Sequence, residues 1–292
     1  MLLQLIVNGL LLGGIYALVA LAFSLNMGIL GVLNLATPQI FLFGALVGLD
    51  LLNGQVPFVF VLLGSMAIGG VLALILELVG YRFVDKSDIV VTLLTTVAFG
   101  LVLENIAERV WGSQAQFFPK SDLASRIDLG PVNVSAVQLL GIGLAIVLVA
   151  GLAATVNRTA LGRSLRAVAQ NRDAAVILGL RVRRAEVATF LISGVLAGGA
   201  GLLLGLNYGV ISLDFGITIG ISGIAAMILG GVDNLWGAVV AGPLLGLATV
   251  LGTSYLGANY NNLLVFGLLA VALVVRPQGL LGKTSHHVYR RV

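Results

Sequence analysis

The chain has 292 residues, of which 59% are apolar and only 10% charged, where an ordinary soluble domain carries roughly 45–50% and about 25%. So few charges cannot clothe a water-facing surface. A soluble enzyme, a disordered chain and a charged coiled coil are excluded, and the fold class read from composition is all-α, a polytopic membrane helix bundle. The 39 glycines suit helices packed closely through small residues in lipid. There is no cysteine, so disulfide and thiol chemistry are absent. The net charge of +4 is concentrated in loops and reads as topology and lipid attraction, not as nucleic-acid binding.

In chain order, apolar stretches cover residues 2–26, 35–52, 58–80, 89–107, 136–156, 187–206, 215–230, 236–251 and 263–275. With about 20 apolar residues needed per crossing, they predict about 8–10 transmembrane helices in a single membrane domain spanning 1–292. The first stretch lacks a basic n-region and an A-x-A-like cleavage site, so it is expected to be a retained helix. Segment 26–38 is rich in breakers and is expected to be a broken or re-entrant helix.

Lys and Arg in short loops orient such a protein. Segment 157–186 carries Arg158, Arg163, Arg166, Arg172, Arg181, Arg183 and Arg184 against Asp173 and Glu186, which places it in the cytoplasm. The tail after residue 275, with Arg276, Lys283, Arg290 and Arg291, shares that side. Counting backwards makes 109–135, with Trp111, an external polar loop and 81–88 internal. The N-terminus is then external if all nine stretches cross.

Residues 25–29 (LNMGI) recur as 206–210 (LNYGV), and Asn34 and Asp214 follow at nearly equal distances. A two-repeat build with broken helices meeting at a solute site is common in transporters. A chance echo in a Leu- and Gly-rich chain is the alternative.

Catalytic chemistry is missing. The histidines are the neighbours His286 and His287 in the polar tail, and neither HExxH nor CxxC occurs, so no metal site is expected. Residues 279–284 read GLLGKT, but a phosphate-binding loop needs glycine where Pro277 stands. The spacings Gly9/Gly13, Gly194/Gly198, Gly201/Gly205 and Gly216/Gly220 are expected to pack helices, not to bind a ligand.

Polar side chains within spans should face the bundle interior or a wet path. Asn26, Asn34, Thr37 and Gln39 gather around Pro38 and form the leading solute-path candidate; the alternative is that they only bond the broken backbone. Asn207, Asp214 and Thr218 are the matching group in the second half. Thr92, Thr95, Thr96, Glu104 and Asn105 form a third set, although threonines in membrane helices commonly bond their own backbone carbonyls.

Between residues 162 and 180, Leu165, Val168, Ala169, Ala175, Val176 and Leu178 interleave with Arg163, Arg166 and Arg172. At helical spacing this predicts a short amphipathic helix, or a pair of them, outside the membrane. A basic face drawn to anionic lipid is one reading; the Ala-rich, glycine-ended core favours insertion into a partner's groove.

This segment resembles the coupling loop GRAxRAxAxNxxAAxxxGI of permeases in the ABC importers for branched-chain amino acids, with Gly162, Arg163, Arg166, Ala167, Ala169, Asn171, Ala174, Ala175 and Gly179 at the matching positions. Residues 16–25, 230–242 and 276–282 are similar to three further elements of that family, in the same order. The resemblance implies one half of a translocation path for a branched-chain or other small amino acid, working by alternating access in a bacterial inner membrane with the C-terminus cytoplasmic. Two partner ATPase subunits would hold Gly162, Arg163, Arg166, Asn171, Arg172, Ala174, Ala175 and Gly179. ATP and Mg would sit on those subunits, with no cofactor on this chain. A second, homologous permease or another copy of this chain would complete the path, and a periplasmic or lipid-anchored binding protein would deliver the solute. Where the family commonly has NFAHG, this chain has Asn34-Leu35-Ala36-Thr37-Pro38, and Asp233-Asn234 replaces a glycine-serine type turn. Urea, a short amide or another small solute is therefore the alternative cargo. A secondary transporter would need charges buried mid-span, whereas the charges here lie mostly in loops and at span ends.

Overall fold

Helices form wherever the apolar runs lie. The computed structural model describes residues 2–84, 88–119, 126–128, 133–232, 234–257 and 260–282. Asp233 and the tail residues Lys283, His286, His287, Arg290 and Arg291 lie outside the described residues.

In chain order come α1 (Leu2–Leu30), α2 (Thr37–Asn53), α3 (Phe58–Ile75) with a π-helical continuation (Leu76–Tyr81), and α4 (Ile89–Trp111). Short strands β1 (Gln116–Phe117), β2 (Arg126–Asp128) and β3 (Asn133–Ser135) precede α5 (Ala136–Arg158), α6 (Ala160–Gln170) and α7 (Arg172–Ile177). Then follow α8 (Val182–Tyr208), β4 (Val210–Ile211), α9 (Leu213–Gly230), α10 (Leu235–Leu256) and α11 (Asn261–Val275). Each of the nine expected stretches falls on a helix. Among the described residues, seven helices are long and apolar enough to cross a membrane, and α2 and α11 are shorter apolar helices. The chain is a multi-pass membrane helix bundle.

Helices α1, α2 and α8 form the centre of the bundle. In α1 and α8, 67% and 72% of the apolar window is buried, against 22% in α4 and 17% in α5. Glycines let the central backbones touch: a Cβ on Gly44 or Gly69 would run into Gly198 or Gly194 of α8, and one on Gly13 into Gly242 and Pro243 of α10. All four GxxxG pairs are packing sites, since Gly201 faces the Phe41 carbonyl, Gly205 the Phe118 ring, and Gly216 and Gly220 face Pro38. Ile29 at the end of α1 packs against the cluster that Leu165 and Val168 of α6 form with Ala175 of α7 and Val182 and Ala185 at the start of α8, and Asn26, one turn earlier, meets Ser193 further along α8. Hence α1 and α8 are antiparallel, and the α6–α7 hairpin closes one end of the bundle.

Two sequence expectations change and a third is localised. Helix α8 begins five residues before the expected 187, because hydropathy penalises Arg183, Arg184 and Glu186 although the helical hydrogen-bond ladder runs through them. Within the expected polar loop 109–135, β1 pairs antiparallel with β4, and Phe118 N–H donates to the Gly209 carbonyl at 3.0 Å. The break expected in segment 26–38 is present and falls at residues 31–36, ahead of Pro38. Gly31 takes φ 68°, and Pro38 sits in the first turn of α2, where its missing N–H interrupts no bond. The Asn34 carbonyl is not left free, since it accepts from Thr37 N at 3.2 Å and from Thr37 Oγ1 at 2.8 Å.

The link 31–36 is non-helical yet enclosed, with Val32, Asn34 and Ala36 all buried. Ala36 lies against Gly100 of α4, and the Pro38 ring against Gly220 of α9. Both glycines are roughly three turns from the hairpin-side ends of their helices, about 15 Å at 1.5 Å per residue. Irregular backbone at such depth is tolerated only inside protein or along a cavity.

Candidate functional site

The buried link organises the polar residues of the first half. Asn34 is 1% exposed; its Oδ1 accepts from Ala36 N at 3.1 Å, which fixes the amide at the mouth of α2, while its Nδ2 has no partner. Leu35 N–H donates to Thr96 Oγ1 of α4 at 3.2 Å, and that hydroxyl donates to the Leu93 carbonyl at 2.8 Å. Gln39 Nε2 donates to Glu104 Oε2 at 3.4 Å. Thr96, Gly100 and Glu104 follow one another at i, i+4 and i+8, so one face of α4 lies along the link and the start of α2. Glu104 is legible by that spacing once Thr96 is singled out, yet the sequence offers no sign of which helix it would meet.

Other candidates separate from this cluster. Asn26 is fully buried within α1, its Nδ2 donating to the Ala22 carbonyl at 3.1 Å and its Oδ1 accepting from Ser193 Oγ of α8 at 3.5 Å. It joins α1 to α8. Thr95 donates to the Val91 carbonyl at 2.8 Å and turns its methyl toward Gly80 of the π-helical segment, away from the link. Asn207 is half-buried at the end of α8, and Asp214 and Thr218 are exposed on α9. The two halves of the echo therefore end antiparallel helices at opposite faces of the bundle.

The second constellation is the α6–α7 hairpin. Thr159 caps α6, accepting from Gly162 N at 3.0 Å, and Asn171 ends α6 and caps α7, accepting from Ala174 N at 2.9 Å. A Cβ on Gly162 would collide with the Thr155 and Val156 carbonyls, and Arg166 Nη1 donates to that Val156 carbonyl. Arg172 pairs with Glu186 at 2.6 Å. Leu165, Val168 and Ala175 are buried against Val182, Ala185 and Ile29. Gly179, at φ 74°, makes the turn into α8 in a conformation that costs a residue with a side chain about 1–2 kcal/mol.

Much of the arginine-alanine pattern thus builds the hairpin itself. Arg163 remains exposed and Ala174 half-exposed. The tip carries Val176, Ile177 and Leu178, with Ile177 84% exposed; sequence reasoning misses Ile177, which periodicity does not mark out. Beside the hairpin, a cavity of about 240 Å³ between α1, α5, α6 and α10 is mostly apolar, lined by residues such as Leu152 and Val239, with Ser24, Asn157, Arg166 and Asn234 as polar members. It is separate from the Asn34 cluster. Among the described residues no group of His, Cys, Asp or Glu could hold a metal ion.

Residues 5–274 match the family model described as branched-chain amino acid transport system / permease component. The chain is 30% identical to the high-affinity branched-chain amino acid transport system permease protein BraD of Pseudomonas aeruginosa, covering 96% of each chain. It is equally 30% identical to LivH of Escherichia coli, again over 96% of each. LivM of Escherichia coli is 30% identical over 64% of this chain and 42% of its own length. Among solved structures, PsaBC from Streptococcus pneumoniae in complex with Fab covers 95% of this chain and 91% of that one, at 15% identity and a TM-score of 0.47. The chain belongs to the permease-component family of branched-chain amino acid transport systems.

Proposed function

We propose that this chain is one half of the translocation path of an ATP-driven ABC importer in a bacterial inner membrane, carrying a branched-chain or similarly small amino acid. It has no catalytic role: ATP and Mg are handled by two partner ATPase subunits seated on the α6–α7 hairpin. A second permease, homologous or identical, completes the path, and a binding protein delivers the solute from the opposite face. The hairpin, with the C-terminal segment near it, faces the cytoplasm. Asn34, Thr37, Gln39 and Thr96 line the path where α1 breaks.

One observation carries this reading. The hairpin is capped, ion-paired and packed from within, yet leaves Val176, Ile177 and Leu178 uncovered at its tip. An exposed apolar tip on a rigid, basic support suits a groove in a partner. Replacing Ile177 and Leu178 with serine removes no contact of the bundle, so the permease should purify in normal amount while the ATPases no longer co-purify and uptake stops. Full ATPase recovery and normal uptake with both serines would overturn the assignment.

A further inference from the structure

We propose that Glu104 and Asn34 together recognise the zwitterionic head of an α-amino acid: the Glu104 carboxylate takes the ammonium group, and the Asn34 amide takes the carboxylate at the positive end of α2. This rests on the amino-acid permease reading above and assigns the polar groups of that site.

The donor end is defined first. Helix α2 begins inside the bundle, and its macrodipole places partial positive charge at its N-terminus. The first N–H groups turn back on the chain, Thr37 to the Asn34 carbonyl and Gln39 and Ile40 to the Ala36 carbonyl, and Pro38 has none. One donor is left over. Asn34 Nδ2 is buried without a partner, on an amide whose Oδ1 is already bound to Ala36 N. A buried donor of this kind is costly unless something else satisfies it, and a carboxylate suits both the N–H and the dipole. Broken membrane helices use the same arrangement for anionic solute groups.

The acceptor end lies one turn on. Glu104 stands well inside α4, a helix otherwise apolar enough to cross a membrane, and faces no cation among the described residues. Its contact is the Gln39 amide at 3.4 Å, long for a charge-assisted bond. An intramembrane carboxylate with so weak a hold marks a solute or ion path. Because Gln39 belongs to the first turn of α2, the acceptor and the leftover donor bracket that turn. The ammonium and carboxylate of an amino acid share one carbon, so they need two such groups close together. Urea and neutral amides supply neither charge and would leave both ends unmatched.

The test uses the whole importer in proteoliposomes: this chain with its partner permease, ATPases and binding protein. Uptake of labelled leucine and ATP hydrolysis are both measured per assembled complex. Glu104→Gln keeps the shape and an oxygen for Gln39, and Asn34→Asp keeps an acceptor for Ala36 N while replacing the leftover donor with negative charge. Each should lower leucine moved per ATP about tenfold, the loss of one charge-assisted partner, and Glu104→Asp should restore part of it. If these side chains only tether α4 to the link, uptake and hydrolysis fall together and the ratio stays at the wild-type value, which overturns the proposal. If Glu104→Gln does not assemble, the ratio measured for Asn34→Asp decides between the two outcomes by itself. A wild-type complex that hydrolyses ATP on demand but moves no amino acid would refute the functional reading itself; a wild-type complex that moves leucine, with both variants matching its ratio, would refute this inference alone.

Discussion

Glycine is the residue on which the packing of this bundle turns, and its positions sort into two kinds. At Gly198 an added Cβ meets the Ser65 carbonyl and the Gly69 backbone, groups that cannot move without shifting a helix. Gly143 and Gly151 have nothing near them. Gly198→Val should therefore cost at least the 1–3 kcal/mol typical of overpacking, about 2–4 °C of melting temperature per kcal/mol. Gly151→Ala should be neutral or gain about 0.5–1 kcal/mol in helix stability. Thermal unfolding of the two variants in detergent, followed by light scattering or size exclusion, checks the contrast; equal midpoints would contradict the described α3–α8 contact. Asn34 shows what is readable at this scale. A polar residue beside a helix break in apolar sequence announces a special position, but which of its atoms lacks a partner depends on how Ala36 and Thr37 fold back upon it.

At the scale of elements, the hairpin separates folding from docking. Asn171 serves two helices, and its loss to alanine should cost about 1 kcal/mol as a lost cap. Arg172 is turned to Glu186, a side chain only 4% exposed. Arg172→Glu would set two carboxylates together and unseat the hairpin, whereas Arg163→Glu, on an exposed site, should leave it folded. Limited proteolysis distinguishes them: the Arg172 variant should be cut between α6 and α8, and the Arg163 variant should resist like the parent. An amphipathic pattern states that one face is covered. It does not state whether the cover is the same chain or a partner, which is why the sequence alone groups Arg166, Arg172 and Ala175 with the docking residues.

For the whole molecule, orientation is the testable property. The antiparallel α1 and α8 put Ile29, the hairpin and the 280–281 segment, bonded to Leu229 and Gly230, at one end. The α2–α3 turn and the Asp50–Trp111 bond of 2.9 Å are at the other. Because the chain has no cysteine, single substitutions can be labelled without background. Arg163→Cys should react with an impermeant thiol reagent only from the cytoplasmic face, and Gln55→Cys only from outside. The reverse pattern would invert the topology and remove the hairpin from reach of cytosolic ATPases.

Fold class, the positions of the membrane helices and the existence of a basic segment outside the bundle were all determined by the sequence, because each depends on local quantities: apolar length, loop charge and the periodicity of small residues. The break in the first half was also local, since Gly31 and the polar residues after it are adjacent in the chain. Tertiary structure alone decided which helices meet there. It placed Thr96 and Glu104, 61 and 65 residues away from Leu35 and Gln39, beside the link, and it sent Thr95 and the Asn207–Asp214–Thr218 group elsewhere. The reason is physical. In lipid almost any apolar helix face satisfies hydropathy, so partners are selected by close backbone approach at glycines and by matching polar groups across helices, and both depend on positions distant in sequence.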